Sequence, residues 1–234
     1  MASWFTTYLN ETRKPVYSAA LILPFFVVYH TGTLIFRTTY INGADALIVR
    51  LLALLSVRSA FASALVLLAG FLVWQLRTRA SWKIDGTRLA WLYGESLGYA
   101  WLLVLLTGWL TVRLSLAAPA PRQGLVERIV LYCGAGIYEE LLFRAVLVGL
   151  LLVLFKRVFG MGRAPAAVCA VVVAAFIFSL FHYIGPEGDR FQVVSFLQRF
   201  GGGVYFSILF VTRGFGVAAA AHALYDVLVG VVLA

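Results

Sequence analysis

Seven apolar runs, each near the length that crosses a bilayer, constrain this chain more than any other feature. They extend over Val16 to Phe36, Ala60 to Leu76, Leu89 to Val112, Leu125 to Phe155, Ala166 to Tyr183, Val193 to Val211 and Gly214 to Ala234. About twenty apolar residues in a helix cross the hydrocarbon core, so the expected fold is all-α, a polytopic transmembrane helical bundle of about seven to eight spans. Ala44 to Val57 is the open element. It is apolar but carries Asp45 and Arg50, which leaves three placements: in the interface, as an extension of the second span, or as a re-entrant piece. Only 12% of the 234 residues are charged against 62% hydrophobic, about half the charge of an ordinary soluble domain. The polar segments between the runs are too short to form a soluble domain, so a single membrane unit is expected.

The net charge of +9 does not point to nucleic acid, because no soluble basic domain is present to hold it. Lysines and arginines flanking the spans account for it. With alternating spans, Arg13, Lys14, Arg77, Arg79, Lys83, Arg88, Lys156, Arg157, Arg163 and Arg213 fall on one side, and Arg37, Arg113, Arg122 and Arg190 on the other. That excess marks the first side, and the N-terminus with it, as cytoplasmic; separately, the expected location is a cell membrane of bacterial or archaeal type. The first residues are polar and aromatic and the first run is long enough to stay in the membrane, so no cleavable signal peptide is expected. Cys133 and Cys169 stand singly in apolar runs without CxxC spacing and read as small buried hydrophobes. No internal repeat supports an inverted-repeat transporter. Gly201-Gly202-Gly203 reads as a place where helices pack closely.

Against this background Tyr138-Glu139-Glu140-Leu141-Leu142-Phe143-Arg144 stands out, because it puts three charges inside an apolar run. Each charge at a bilayer centre costs roughly 2.5–3.5 kcal/mol on translocon scales, which makes such a cluster a functional-site candidate. Glu140 and Arg144 are four apart and can pair on one helix face. Glu139 lies about 100° around the helix from Glu140 and lacks that partner. Two histidines join them: Phe178 and His182 are four apart, as are His222 and Asp226, so each pair shares a face that can point into a bundle. His30, near Pro24 and Tyr29, reads as a hydrogen-bonded structural histidine, and Glu95 as an acid paired with an arginine. Ser179, a lone serine on an apolar helix, is expected to bond a backbone carbonyl rather than to act as a nucleophile.

A carboxylate, two imidazoles and a further acid in a membrane cavity suit attack of water on a carbonyl, with one group taking the proton, another orienting the water and others stabilising the oxyanion. Zinc is the competing arrangement, with Glu139, His182 and His222 as ligands from three spans. No HExxH motif supports it, and no cofactor is favoured. Neither a GxSxG elbow nor the serine and aspartyl motifs of other intramembrane proteases occur.

Three ordered motifs, EExxxR at Glu139 to Arg144, FxxxH at Phe178 to His182 and HxxxD at His222 to Asp226, resemble those of the CPBP family of CAAX-processing and bacteriocin-protection intramembrane proteases. The resemblance covers the chain from Leu125 onwards. It implies a water-accessible cavity between the motif helices and endoproteolysis by glutamate-activated water. Glu139 would be the base, His182 would bind the water, and His222 with Asp226 would line the oxyanion site. Glu140, Arg144 and Phe178 would support them. Asp226 departs from the Asn of the prenyl-protein processing members, and an ionised Asp repels an oxyanion, so it either carries a proton or orients His222.

The expected organisation is therefore N-terminal transmembrane helices with a possible interfacial helix over residues 1–124, and a protease-like core formed by the last four spans over 125–234. The expected partners are membrane lipid and a membrane-anchored protein or peptide cut near its terminus. Oligomeric state is not readable. A non-proteolytic transporter or immunity-type binding protein using the same polar residues is the alternative function.

Overall fold

Lipid offers a backbone no hydrogen-bonding partner, so an apolar run satisfies its N–H and C=O groups internally and becomes a helix. The computed structural model describes residues 4–36, 42–57, 59, 61–117, 124–185 and 188–232, and contains no strand among them. The helices are α1 (Trp4–Glu11), α2 (Pro15–Phe36), α3 (Gly43–Leu54), α4 (Ala62–Thr78), α5 (Gly86–Ala117), α6 (Leu125–Glu140), α7 (Gly149–Arg157), α8 (Arg163–Phe181), α9 (Val193–Arg213) and α10 (Phe215–Val227). A π-helical stretch, Leu141–Val148, joins α6 to α7 in one continuous rod, and a second, Leu228–Val232, prolongs α10. Each of the seven apolar runs forms helix over most of its described length, with Phe61, His182, Tyr183 and Gly214 lying just outside the helix ends. Pro15–Phe36, Gly86–Gly108, Arg163–Phe181 and Val193–Arg213 are long and apolar enough to cross a bilayer, while Ala62–Thr78 and Phe215–Val231 are shorter apolar helices. Outward-facing Leu65, Leu72, Leu105, Leu106, Leu150, Val153 and Val168 are exposed, as a lipid-facing surface requires. The chain is an integral membrane protein.

The centre of the bundle is α10, which packs on α2, α5, α6 and α9. It is buried on all sides over Val217, Ala218, Ala219, Ala220, Ala221, His222 and Ala223. Methyl groups occupy so little space that neighbouring helices approach almost to backbone contact. Gly136 of α6 is the clearest case, because a Cβ there would collide with the Ala223 nitrogen and the Ala219 carbonyl of α10. Small residues at such crossings are how membrane helices gain packing without a hydrophobic driving force between them.

Polar groups inside the bundle are answered by neighbours. Pro24, inside α2, has no N–H for the Ala20 carbonyl one turn earlier, and the Tyr93 hydroxyl of α5 donates to that carbonyl at 3.1 Å. Glu95 of α5 meets Arg213 at the α9–α10 junction in a two-pronged ion pair. The Tyr8 hydroxyl also donates to Glu95, at 2.5 Å, and Arg213 donates to Thr12 at 3.1 Å. Burial, followed by the neighbouring Glu95, pushes the Tyr8 phenol of α1 above its ordinary range, so it remains a donor. This cluster straps α1 to the bundle and makes Glu95 the arginine-paired acid expected from sequence.

The open element, Ala44 to Val57, resolves as α3, a separate helix packed on α4 and α6. Asn42 caps its N-terminus, with Oδ1 accepting from the Ala44 and Asp45 nitrogens at 2.9 and 3.4 Å. Asp45 is buried, and its Oδ2 accepts from the Tyr29 hydroxyl at 2.6 Å.

Candidate active site

The site forms where α6 passes into its π-helical continuation. Glu139 and Glu140 are the last residues of α6, 7% and 0% exposed, and Arg144, one turn on, is 1% exposed. The close crossing at Gly136 lies one turn before the glutamates and sets α10 directly beside them. Arg144 pairs with Glu140 Oε1 at 2.9 Å, as their spacing predicts. Its guanidinium lies 4.4 Å from the Phe178 ring centre and 5.7 Å from that of Phe206, and donates to the Gly203 carbonyl at 3.4 Å. Aromatic faces and a carboxylate together compensate a cation that has no access to water. Gly203 accordingly sits at a crossing, where an added Cβ would press on Ala175 and Phe178 of α8 at 3.1–3.2 Å. Its neighbours Gly201 and Gly202 face open space, so the packing role read for the glycine triplet belongs to Gly203.

Glu140 does more than hold Arg144. Its Oε1 also meets His222 Nδ1 at 2.8 Å, so an ionised Glu140 accepts the Nδ1–H hydrogen bond and turns Nε2 of the imidazole inward. The Phe206 ring stacks on the imidazole at 4.4 Å and 15°. His222 Nε2 then lies 3.9 Å from Glu139 Oε2 and 3.6 Å from Asp226 Oδ2.

His182 is the C-cap of α8. Its Nδ1 donates to the Phe178 carbonyl at 2.9 Å, since a carbonyl can only accept. In the neutral ring this leaves Nε2 with its lone pair, 4.0 Å from Glu139 Oε2. Phe178 thus orients His182 through its backbone and covers Arg144 with its ring. The side chains of His182 and Asp226 are each 23% exposed, whereas those of Glu140 and Arg144 are sealed. The cluster is open at the His182 and Asp226 end and closed behind Glu140.

The family model for "Type II CAAX prenyl endopeptidase Rce1-like" matches residues 121–228, the stretch that holds all three motifs. The chain carries an Rce1-like domain. No curated protein and no solved structure matches the chain. The description is that of an endopeptidase, in agreement with the resemblance drawn from the motifs.

All seven residues singled out in sequence, Glu139, Glu140, Arg144, Phe178, His182, His222 and Asp226, come together in this one cluster of the Rce1-like domain. The other candidates fall elsewhere. His30 Nε2 bonds the Tyr138 hydroxyl at 2.7 Å, a structural contact. Ser179 donates to the Phe196 carbonyl at 2.7 Å, and both cysteines are free. Two residues at the site escaped the sequence reading. Phe206 has no polar atom to signal a role. Asn42 donates from Nδ2 to Glu139 Oε1 at 3.0 Å, so Glu139 has a partner after all, supplied by α3 from outside the matched stretch.

A tetrahedral zinc with bonds of about 2.0–2.2 Å needs its ligand atoms roughly 3.3–3.5 Å apart. The imidazole nitrogens stand 3.9 and 4.0 Å from Glu139 Oε2. Among the described residues no group of three or more His, Cys, Asp or Glu is placed to hold a metal ion.

Proposed function

We propose that this protein hydrolyses a peptide bond near the terminus of a membrane-anchored protein or peptide, using water activated by Glu139, with residues 125–234 as the catalytic core. One observation carries the reading: Glu139 Oε2 faces the Nε2 atoms of His222 and His182, on two other helices, at 3.9 and 4.0 Å. Those separations are too long for direct hydrogen bonds and suit a single water about 2.8 Å from each atom. Glu139 takes a proton from that water while the Nε2 lone pair of His182 accepts its other hydrogen. The hydroxide adds to the scissile carbonyl. The resulting oxyanion turns toward His222, whose Nε2–H donates to it in the imidazolium form, with Glu140 compensating from behind. Glu139 then delivers its proton to the departing amine, the C–N bond breaks, and an acid and an amine remain. Asp226 Oδ2, 3.6 Å from His222 Nε2, lies beyond hydrogen-bond length, so it orients the imidazolium by its charge and leaves the Nε2–H for the oxyanion. It does not contact the oxyanion.

The test uses the purified protein in liposomes with an internally quenched, S-farnesylated CAAX peptide, the substrate class that the family description names. Cleavage by the wild type and none above background by Glu139→Gln is the expected result. Equal cleavage by both proteins overturns the reading. Adding a strong zinc chelator is expected to leave the rate within twofold, and a rate abolished by chelator and restored by zinc would replace activated water with a metal mechanism.

A further inference from the structure

We infer that Asn42 is a positioning residue, contributed from outside the Rce1-like domain, that fixes which oxygen of Glu139 acts as the base. The inference rests on the proteolytic reading above and concerns the same site. An asparagine side chain has an accepting end and a donating end, and here the two are assigned by their partners. Oδ1 receives the Ala44 and Asp45 nitrogens at the start of α3, so the NH2 group must be the end that meets Glu139 Oε1 at 3.0 Å. The backbone nitrogen of Asn42 donates to the Tyr29 hydroxyl at 3.3 Å, and that hydroxyl donates to Asp45. Asn42 is therefore held at its backbone, its Oδ1 and its Nδ2, on a helix packed against α6. Glu139 must orient to Asn42 rather than the reverse.

The consequence falls on the carboxylate. With Oε1 engaged by the amide, Oε2 is the oxygen turned toward His182 and His222. The other charged groups of the cluster, Glu140, Arg144 and Asp226, make no hydrogen bond to Oε1. A neutral donor at this point has a specific use. An arginine, like the one beside Glu140, would fix the carboxylate but also bind its charge strongly and weaken it as a base. An amide sets the rotation of the carboxylate while leaving its second oxygen free to accept a proton.

Because Asn42 also caps α3, the test must separate the two duties. Asp and Ser are both good N-caps. Asn42→Asp keeps the cap, removes the donor and sets a like charge against Glu139, whereas Asn42→Ser keeps the cap with a side chain too short to reach. Measured on the quenched peptide in liposomes, Asn42→Asp is expected to lower kcat about 10- to 100-fold and Asn42→Ser about 10-fold. KM should stay within about twofold and the thermal midpoint within about 2 °C for a preserved cap. If Asn42→Asp does not fold, Asn42→Ser decides. Variants that keep kcat within twofold, or that lose kcat only in step with thermal stability, would reduce Asn42 to a helix cap. A wild type no faster than Glu139→Gln would instead remove the proteolytic reading itself.

Discussion

Two glutamate–arginine pairs, one sealed and one partly buried, differ in what their carboxylates leave over. In the α1 strap, both oxygens of Glu95 are engaged, Oε1 by Arg213 and Oε2 by Arg213 and Tyr8. At the site, Glu140 Oε1 serves both Arg144 and His222, while Oε2 is buried without a hydrogen bond. The first pair closes on itself and ties helices together. The second passes its charge to an imidazole that faces another carboxylate, so it is coupled to whatever forms beside His222. The same two residue types thus fasten helices in one place and hold an imidazole in the other, and the difference lies in what the second carboxylate oxygen meets.

The comparison is sharpest at its reactive limit. Glu139→Gln should cut kcat by about 1000-fold or more, because an amide cannot take the proton, with little change in thermal stability; retention of a tenth of the activity would remove Glu139 as base. Glu140→Gln should lower kcat about 100-fold and also cost about 3–5 kcal/mol by leaving Arg144 buried without its partner. Denaturation in detergent together with rates per folded molecule separates those two effects. For Glu95→Gln the expectation is a loss of about 2 kcal/mol with kcat per folded molecule within twofold, and a rate as low as that of Glu140→Gln would erase the distinction between the pairs. Smallest is Phe206→Leu, which removes a stack worth about 1 kcal/mol and should slow cleavage about fivefold by loosening His222. An unchanged rate would show that the stack is not needed to orient the imidazole.

Much of this was legible from sequence because charge is conspicuous in an apolar chain. The helical runs, the four-residue spacing of Glu140 with Arg144, and the placing of one histidine in each of two later runs follow from period and composition, and the structure brings those residues into one cluster. Phe206 is one of many aromatic residues in the chain, and nothing in its spacing separates a stacking ring from a packing one. For Asn42 half the signal was present. An Asn followed three residues later by an acid, Asp45, marks a helix start, so the beginning of α3 was within reach, but its proximity to Glu139, 97 positions away, is a tertiary fact. The π-helical stretch after Glu140 is likewise set by what surrounds it and has no sequence signature of its own.

The alanine column of α10 has a consequence for how this protein can vary. Where Gly136 meets Ala219 and Ala223, the interval between acid and imidazole is gauged by how closely two main chains approach rather than by how snugly larger groups fill a gap. The greasy exterior can drift widely among hydrocarbon residues without moving the reacting atoms. A single extra methyl in that narrow seam would shift both of them at once.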